Sequence, residues 1–290
     1  MHEVHGSDQR PWAAFFFRPG LATVCGPMSS ARRSVSSGKN PAIQRFRDAA
    51  AGDLPGVMLA EGVRLVGEAL DAGLEVLEAA VSPRLTDAAL RERLQQAAQS
   101  FLDCSDDVLA RLSALETPQG VAVLLQRPEV EERALLGEAL APMVVIAAGV
   151  RDPGNLGSLL RTAEAAGATG VISMKGGADP FRDKAVRGSM GSIFRLPVLH
   201  GFDAAAIAAF CRRHRLQLVV ADGGGERVHT QVDLKKPLAL VVGAEAAGVP
   251  PELLAAADVR TRIPLCAPVE SLNVAVAAGV LLFEAQRQRS

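Results

Sequence analysis

Apolar residues recur along this chain at two spacings, and their alternation predicts two α/β units in series. In the first third, Val57–Ala60 reads as a strand. Glu61–Ala72 follows with helical period, Val63, Val66 and Leu70 sharing one face and Gly73 ending it. Val76–Val81 predicts a second strand, Ala88–Gln99 and Asp106–Leu115 predict helices, and Gly120–Leu125 a closing strand. The charged stretch Glu129–Leu140 reads as a helical linker. Beyond it, Met143–Ala148 is an unbroken apolar, β-branched run of the kind buried on both faces in a parallel sheet. Val171–Met174, helix Ala204–His214, Leu216–Ala221 and Leu238–Val242 continue the alternation, which predicts a parallel sheet with helices on both faces.

The chain's last predicted helix differs in kind. Ile263–Val269 contains two prolines and no period, so it reads as an irregular loop. Glu270, Ser271, Leu272 and Asn273 then open a helix, with Glu270 or Ser271 as the expected cap. From Val274 to Phe283 that helix is apolar on nearly every side, which predicts burial in a core or an interface. A polar cluster therefore stands at the mouth of a buried helix, where polar groups need partners.

Composition narrows the chemistry. The 290 residues leave room for about two domains. A net charge of −1 excludes bulk polycation binding but not a local basic face. Arg32, Arg33, Lys39, Arg45 and Arg47 form such a cluster, with only Asp48 against it, and suit a phosphate backbone. The four cysteines, Cys25, Cys104, Cys211 and Cys266, form no Cys-x-x-Cys pair, and the histidines lack ligand spacing. We therefore expect free thiols in a reducing cytoplasm and no metal. No apolar run approaches a membrane span. Met1 to about Ser37 reads as a disordered extension, and Met28 is an alternative start.

Several stretches stand where open α/β sheets bind ligands, at the carboxyl ends of strands. Strand Met143–Ala148 runs into a turn, Asp152-Pro153-Gly154, and Asn155 is the expected N-cap of a helix over Leu156–Ala166. Strand Leu238–Val242 runs into Gly243, Glu245 and Gly248, whose glycines allow close backbone approach to a ligand. The pattern is not GxGxxG, and Glu245 would repel a pyrophosphate, so a neutral or cationic cofactor fits better. Asp222–Gly225 makes a similar loop. Lys184, Arg187, Gly188, Ser189 and Gly191, with Arg182, suit a phosphate contact or a solvated loop.

Together these pieces resemble the SpoU family of the SPOUT methyltransferase superfamily, which 2′-O-methylates ribose in RNA. The family's Asn-x-Gly-x-x-x-Arg is matched by Asn155, Gly157 and Arg161, and its Gly-x-Glu-x-x-Gly by Gly243, Glu245 and Gly248. Its Ile-Pro followed by Glu-Ser-Leu-Asn is matched by Ile263, Pro264, Glu270, Ser271, Leu272 and Asn273. Leu265 to Pro268 and Ala275 depart from the common pattern, in which Met and glycine, and a second Ser, are frequent. The N-terminal part is similar to the L30-like RNA-binding domain that many members carry, and the resemblance covers roughly Ser36 to Glu284.

The resemblance implies an extension over 1–35, a substrate-binding domain over 36–127, a linker over 128–141 and a SPOUT domain with a deep trefoil knot over 142–290. It implies S-adenosylmethionine held by Val242, Gly243, Gly248, Ile263, Leu265, Ser271 and Leu272. Asn155, Arg161, Glu245, Ser271 and Asn273 are then the catalytic set. Arg32, Arg33, Lys39, Arg45, Arg47, Arg64 and Arg187 are the expected RNA contacts. It further implies a homodimer, with ribosomal RNA the first choice of substrate and transfer RNA the second. A non-catalytic knotted RNA binder and a nucleotide-dependent oxidoreductase are the alternatives. The intact motif residues count against the former and the absent GxGxxG against the latter.

Overall fold

The structure, a computed structural model, describes residues 31–35, 41–244 and 247–290. Its N-terminal unit is a five-stranded sheet formed by β1 (Ala31–Val35), β2 (Val57–Glu61), β3 (Val76–Val81), β4 (Ala98–Cys104) and β5 (Val121–Gln126). The order is β1-β4-β3-β5-β2, with β1, β4 and β3 parallel and β5 antiparallel to β3 and β2. Helices α2 (Val63–Asp71) and α3 (Ala88–Ala97) cover one face. Helices α1 (Pro41–Ala51) and α4 (Asp106–Leu112) cover the other, through Ile43, Phe46, Val108 and Leu109.

Four local expectations change here. Ala31–Val35, placed in the aperiodic extension, is a strand because β4 offers it a parallel edge. Glu61, read as helical, ends β2 opposite Ala122, and α2 starts only after Gly62. Gln99 belongs to β4, a strand hidden in the sequence by Gln99, Ser100 and Asp103. The linker holds a single 3-10 turn, Glu132–Leu136, whose buried Leu135 packs on the C-terminal sheet. Residues before 31, including Met28 and Cys25, lie outside the described residues.

The C-terminal unit is a seven-stranded, all-parallel sheet in the order β10-β12-β9-β11-β6-β7-β8. Its strands are β6 (Met143–Ala148), β7 (Gly170–Met174), β8 (Val198–Phe202), β9 (Gln217–Ala221), β10 (Arg227–Val228), β11 (Leu238–Gly243) and β12 (Val259–Arg262). Strands β8, β10 and β12 escape the apolar pattern because they are short and interrupted by Gly or Arg. One face carries α5 (Pro153–Ala165), α6 (Asp183–Ser189) and α9 (Val274–Arg289), packed on Met143, Val145, Leu240 and Val242. The other carries α7 (Ala204–His214) and α8 (Pro251–Ala256), packed on Val144, Ile146 and Val241. The segment Lys184–Ser189, for which a solvated loop is one of two sequence readings, is thus most of helix α6.

Connectivity at the sheet's centre positions the site. From β11 the chain passes to α8 on one face, returns through β12 and ends in α9 on the opposite face. Residues 263–273 therefore cross from one side of the sheet to the other beyond the carboxyl ends of its strands. Helix α9 buries Val274, Ala278, Leu281, Leu282 and Ala285, yet Val276, Val280 and Phe283 remain 54%, 37% and 47% exposed. Their spacing sets them in one stripe along the helix.

The two units meet where α6 lies against β2 and α1. Glu61 is buried there, accepting hydrogen bonds from Ser113 Oγ and from Ala114 N at 3.0 Å. Burial pushes its carboxyl above the ordinary value, against those bonds, with Asp183 adding to the rise. Asp183 is raised by burial too, despite its pairing with Arg187. A carboxyl with a raised folded value stabilises while protonated, and that contribution fades as pH climbs through the raised value. Wild-type stability is therefore expected to fall between about pH 5 and 8 relative to Glu61→Gln. Urea unfolding of both proteins at the two pH values checks this, and parallel curves would refute it.

Candidate active site at the carboxyl edge of the sheet

The site is built from three chain segments. The first leaves β6 through Gly149 and enters α5. Asp152, not Asn155, caps this helix: its Oδ1 accepts from Asn155 N at 2.8 Å, and Pro153 occupies the first helical position. An Asp-Pro pair is itself a helix-start signal, so the true cap was readable in the sequence. Backbone donation from Asn155 and a contact with Lys184 Nζ at 3.0 Å hold the Asp152 carboxyl below its usual range. Freed from capping, the Asn155 side chain is half-buried and points across the site.

The second segment follows β11. Ala244 N donates to Ala148 O at 3.1 Å and to Gly248 O at 3.2 Å, and Gly248 N donates back to Ala244 O at 2.8 Å. This turn closes directly on the strand end. A Cβ at Gly243 would sit 2.4 Å from the Gly248 carbonyl carbon, so only glycine fits, and Gly248 itself has φ +66°. Val242 is buried beneath the turn. Glu245, the acidic residue of this motif, lies outside the described residues.

The third segment is the crossing, residues 263–273. Ile263 packs on the core, and Leu265, Val269 and Ser271 are exposed. Among the described residues, the backbone N–H groups of Leu265, Ser271 and Leu272 have no hydrogen-bond partner. Asn273 caps α9, in place of the expected Glu270 or Ser271: its Oδ1 accepts from Ala275 N at 3.0 Å and Val276 N at 3.4 Å. Its Nδ2 donates to Asn155 Oδ1 at 2.9 Å. Two asparagines 118 positions apart in the chain thus join the start of α5 to the start of α9.

Arg161 lies on the exposed side of α5, and among the described residues no hydrogen bond or ion pair engages it. The Asn155–Asn273 bond brings the start of α5 to the start of α9 and to the crossing that carries the open N–H groups, while Arg161 stands further along α5. Such an arrangement can hold a ligand by backbone contacts and bring an anionic or hydroxyl-bearing partner to it. Among the described residues no group of His, Cys, Asp and Glu is placed to hold a metal.

The SpoU rRNA methylase family model matches residues 142–283, and an MRM3-like substrate binding domain matches residues 43–123. The sequence is 33% identical over 228 residues to the 23S rRNA (guanosine(2553)-2′-O)-methyltransferase RlmP of Bacillus subtilis, covering 78% of this chain and 86% of that one. The chain belongs to the SpoU rRNA methylase family. An AdoMet-bound rRNA methyltransferase from Sinorhizobium meliloti superposes with a TM-score of 0.77 at 32% identity, over 88% of this chain and 98% of that one. The SpoU methyltransferase AviRb from Streptomyces viridochromogenes, in complex with AdoMet, gives a TM-score of 0.79 at 26% identity, over 87% and 98%.

The basic residues of this SpoU chain divide by their neighbours. Arg45 is tied to Glu78 and Arg187 to Asp183, so each of these two expected RNA contacts already holds a carboxylate. Arg47 Nε donates to Arg111 O at 2.9 Å. Arg64, exposed on the first turn of α2, stays open. Lys39 and the side chains of Arg32 and Arg33 lie outside the described residues.

Asn273 carries two separable loads, the helix cap and the bridge to Asn155. Asn273→Ala should cost about 1 kcal/mol through loss of the cap, and Asn273→Asp distinctly less because a carboxylate still caps. Urea unfolding of the two variants measures the difference; equal losses would show that the cap is not what Asn273 contributes.

Proposed function

We propose that this protein transfers the methyl group of S-adenosylmethionine to a ribose 2′-hydroxyl of ribosomal RNA, in the large subunit. The observation that carries the reading is the Asn155–Asn273 bridge, which brings the first and third motifs together beside the Gly243–Gly248 turn. The names of the relatives support the ribosomal substrate. A transfer RNA substrate is the second reading.

The residues present fit the cofactor. Unpaired backbone N–H groups at Leu265, Ser271 and Leu272, with the carbonyls of the glycine turn, suit an adenosine held by backbone contacts. Val242, Gly243, Gly248 and Ile263 would form its floor. S-adenosylmethionine supplies an electrophilic methyl on a sulfonium, so the protein's task is alignment and charge control. Arg161 cannot act as a base, since a guanidinium stays protonated. It would orient the ribose and its phosphate and stabilise the alkoxide as charge develops. The Asn155–Asn273 pair and Ser271 would position the nucleotide, Glu245 would balance the loop, and Arg64 would join the RNA contacts of the N-terminal unit. The crossing of residues 263–273 supports a trefoil knot.

The exposed stripe Val276, Val280 and Phe283 supports a homodimer through α9. Free thiols at Cys104, Cys211 and Cys266 suit the cytoplasm. No described helix is long and apolar enough to cross a membrane.

Transfer of radiolabelled methyl to unmodified total RNA tests the reading, with alkali-stable label in large-subunit ribosomal RNA expected. Label confined to transfer RNA would replace the substrate, and no label in any RNA would refute the activity. Arg161→Ala should cut transfer about a hundredfold while S-adenosylmethionine affinity, by calorimetry, stays within about twofold. Val280→Asp should shift the protein from dimer to monomer in sedimentation equilibrium, and an unchanged mass would remove α9 from the interface.

A further inference from the structure

Arg195 stands outside all three motifs, yet it is engaged on three sides. Its Nε reaches Glu164 Oε1 at 2.6 Å and its Nη2 reaches Glu164 Oε2 at 3.0 Å, a forked pair with one carboxylate. Its Nη1 pairs with Glu68 Oε2. Glu164 lies on α5, three residues beyond Arg161. Glu68 lies on α2, in the substrate-binding unit. One guanidinium therefore joins the helix that carries Asn155 and Arg161 to the unit that matches a substrate-binding domain.

The surrounding backbone is shaped for this contact. Gly191 has φ +94°, and a Cβ there would lie 3.0 Å from Glu68 Cβ and 3.2 Å from Arg195 Nη1. Any other residue would be strained at this φ, and its Cβ would press on the Glu68 side chain. Ile193 and Phe194, buried in the core, anchor the 3-10 turn that presents Arg195. Hydrogen bonds from Arg195 and Ser192 hold the Glu164 carboxyl below its ordinary value in spite of its burial, so the fork is charged on both sides. All three side chains are about one-third exposed, so the contact is partly shielded from solvent.

We propose that Arg195 is a positioning residue that, through Glu68 and Glu164, fixes the angle between the substrate-binding unit and helix α5, and so sets which ribose of a bound RNA reaches Arg161. This rests on the methyltransferase reading above. Elsewhere the two units meet mainly through α6, against β2 and α1. With the Glu68 leg removed, the substrate-binding unit keeps its apolar packing and its contacts along α6 but loses the ion pair that fixes α2 to the 3-10 turn, so its angle to α5 is less firmly held. RNA would still bind, but its ribose would arrive off line, and displacement reactions fall steeply with misalignment.

Glu68→Ala severs the inter-unit leg and leaves the Arg195–Glu164 fork intact. Glu68→Gln keeps a hydrogen-bond acceptor for Arg195 Nη1 and serves as the conservative variant. The probe is an unmodified large-subunit ribosomal RNA transcript, with S-adenosylmethionine in single-turnover transfer and RNA affinity measured separately. For Glu68→Ala we expect single-turnover transfer to fall by about tenfold or more, with RNA and S-adenosylmethionine affinities within about twofold. Glu68→Gln should recover part of the loss, and methyl should appear at neighbouring nucleotides in Glu68→Ala. Wild-type transfer rates in Glu68→Ala would overturn the proposal, as would a rate loss matched by an equal loss of RNA affinity. If wild type itself transfers nothing to any RNA, the methyltransferase reading falls and this proposal with it.

Discussion

Helices α5 and α6 touch backbone to backbone, and much of the molecule depends on that contact. A Cβ at Gly157 would lie 2.6 Å from Ala185 O and 2.8 Å from both Cα and C of Gly188. The glycine of the first motif is therefore a packing residue, and any side chain there would force the helices apart. Because they are close, α5 is fixed on its sheet with Asn155 at its open end, within reach of Asn273. Because α6 is held there, it can present its other side to β2 and dock the N-terminal unit. One missing side chain thus serves both the site and the arrangement of the two units. The Lys184–Asp152 pair, at 3.0 Å, closes the same two helices at their starts.

What was legible in the sequence follows from burial. Met143–Ala148 and Leu238–Val242 are apolar without interruption because both faces of the sheet are covered, and both were readable as central strands. Strand β12 reads Val-Arg-Thr-Arg and β4 reads Ala-Gln-Ser-Phe-Leu-Asp-Cys, and neither sequence announces a strand. Their places are set by neighbours: β9 for the former, β1 and β3 for the latter. The cap of α9 was ambiguous for a related reason. Glu270, Ser271 and Asn273 can all cap a helix, and what selects Asn273 is Asn155, a partner that no local pattern reveals. Gly243 and Gly248, by contrast, were correctly placed at a strand end, where the requirement for close approach is local.

Charge was the least legible property. Arg45, Arg64, Arg161, Arg187 and Arg195 are alike in the sequence, and all are candidates for gripping an anion. In the fold, carboxylates claim Arg45, Arg187 and Arg195, while Arg64 and Arg161 stay free among the described residues. The difference decides what each can do. A guanidinium already forked onto a carboxylate has spent its geometry and would lose that pairing to take up phosphate. One left in water keeps its donors available at little cost.

The same division separates holding from reacting. An ionised pair such as Arg195–Glu164 is strong because its donors and acceptors are matched and partly shielded, and that makes it a good joint. A residue that must stabilise charge only as it develops has to be unmatched in the resting protein, since a partner present beforehand would compete with the reacting oxygen. Under the proposed reading Arg161, unmatched among the described residues, would meet this condition, and the Asn155–Asn273 bridge at the start of the same helix would supply rigidity. On that reading, alignment would come from neutral hydrogen bonds and backbone, and charge would be held in reserve on the exposed side chain of Arg161. That partition would need no group with a strongly displaced protonation equilibrium, and it would leave the departing proton to solvent or to the substrate's own phosphate.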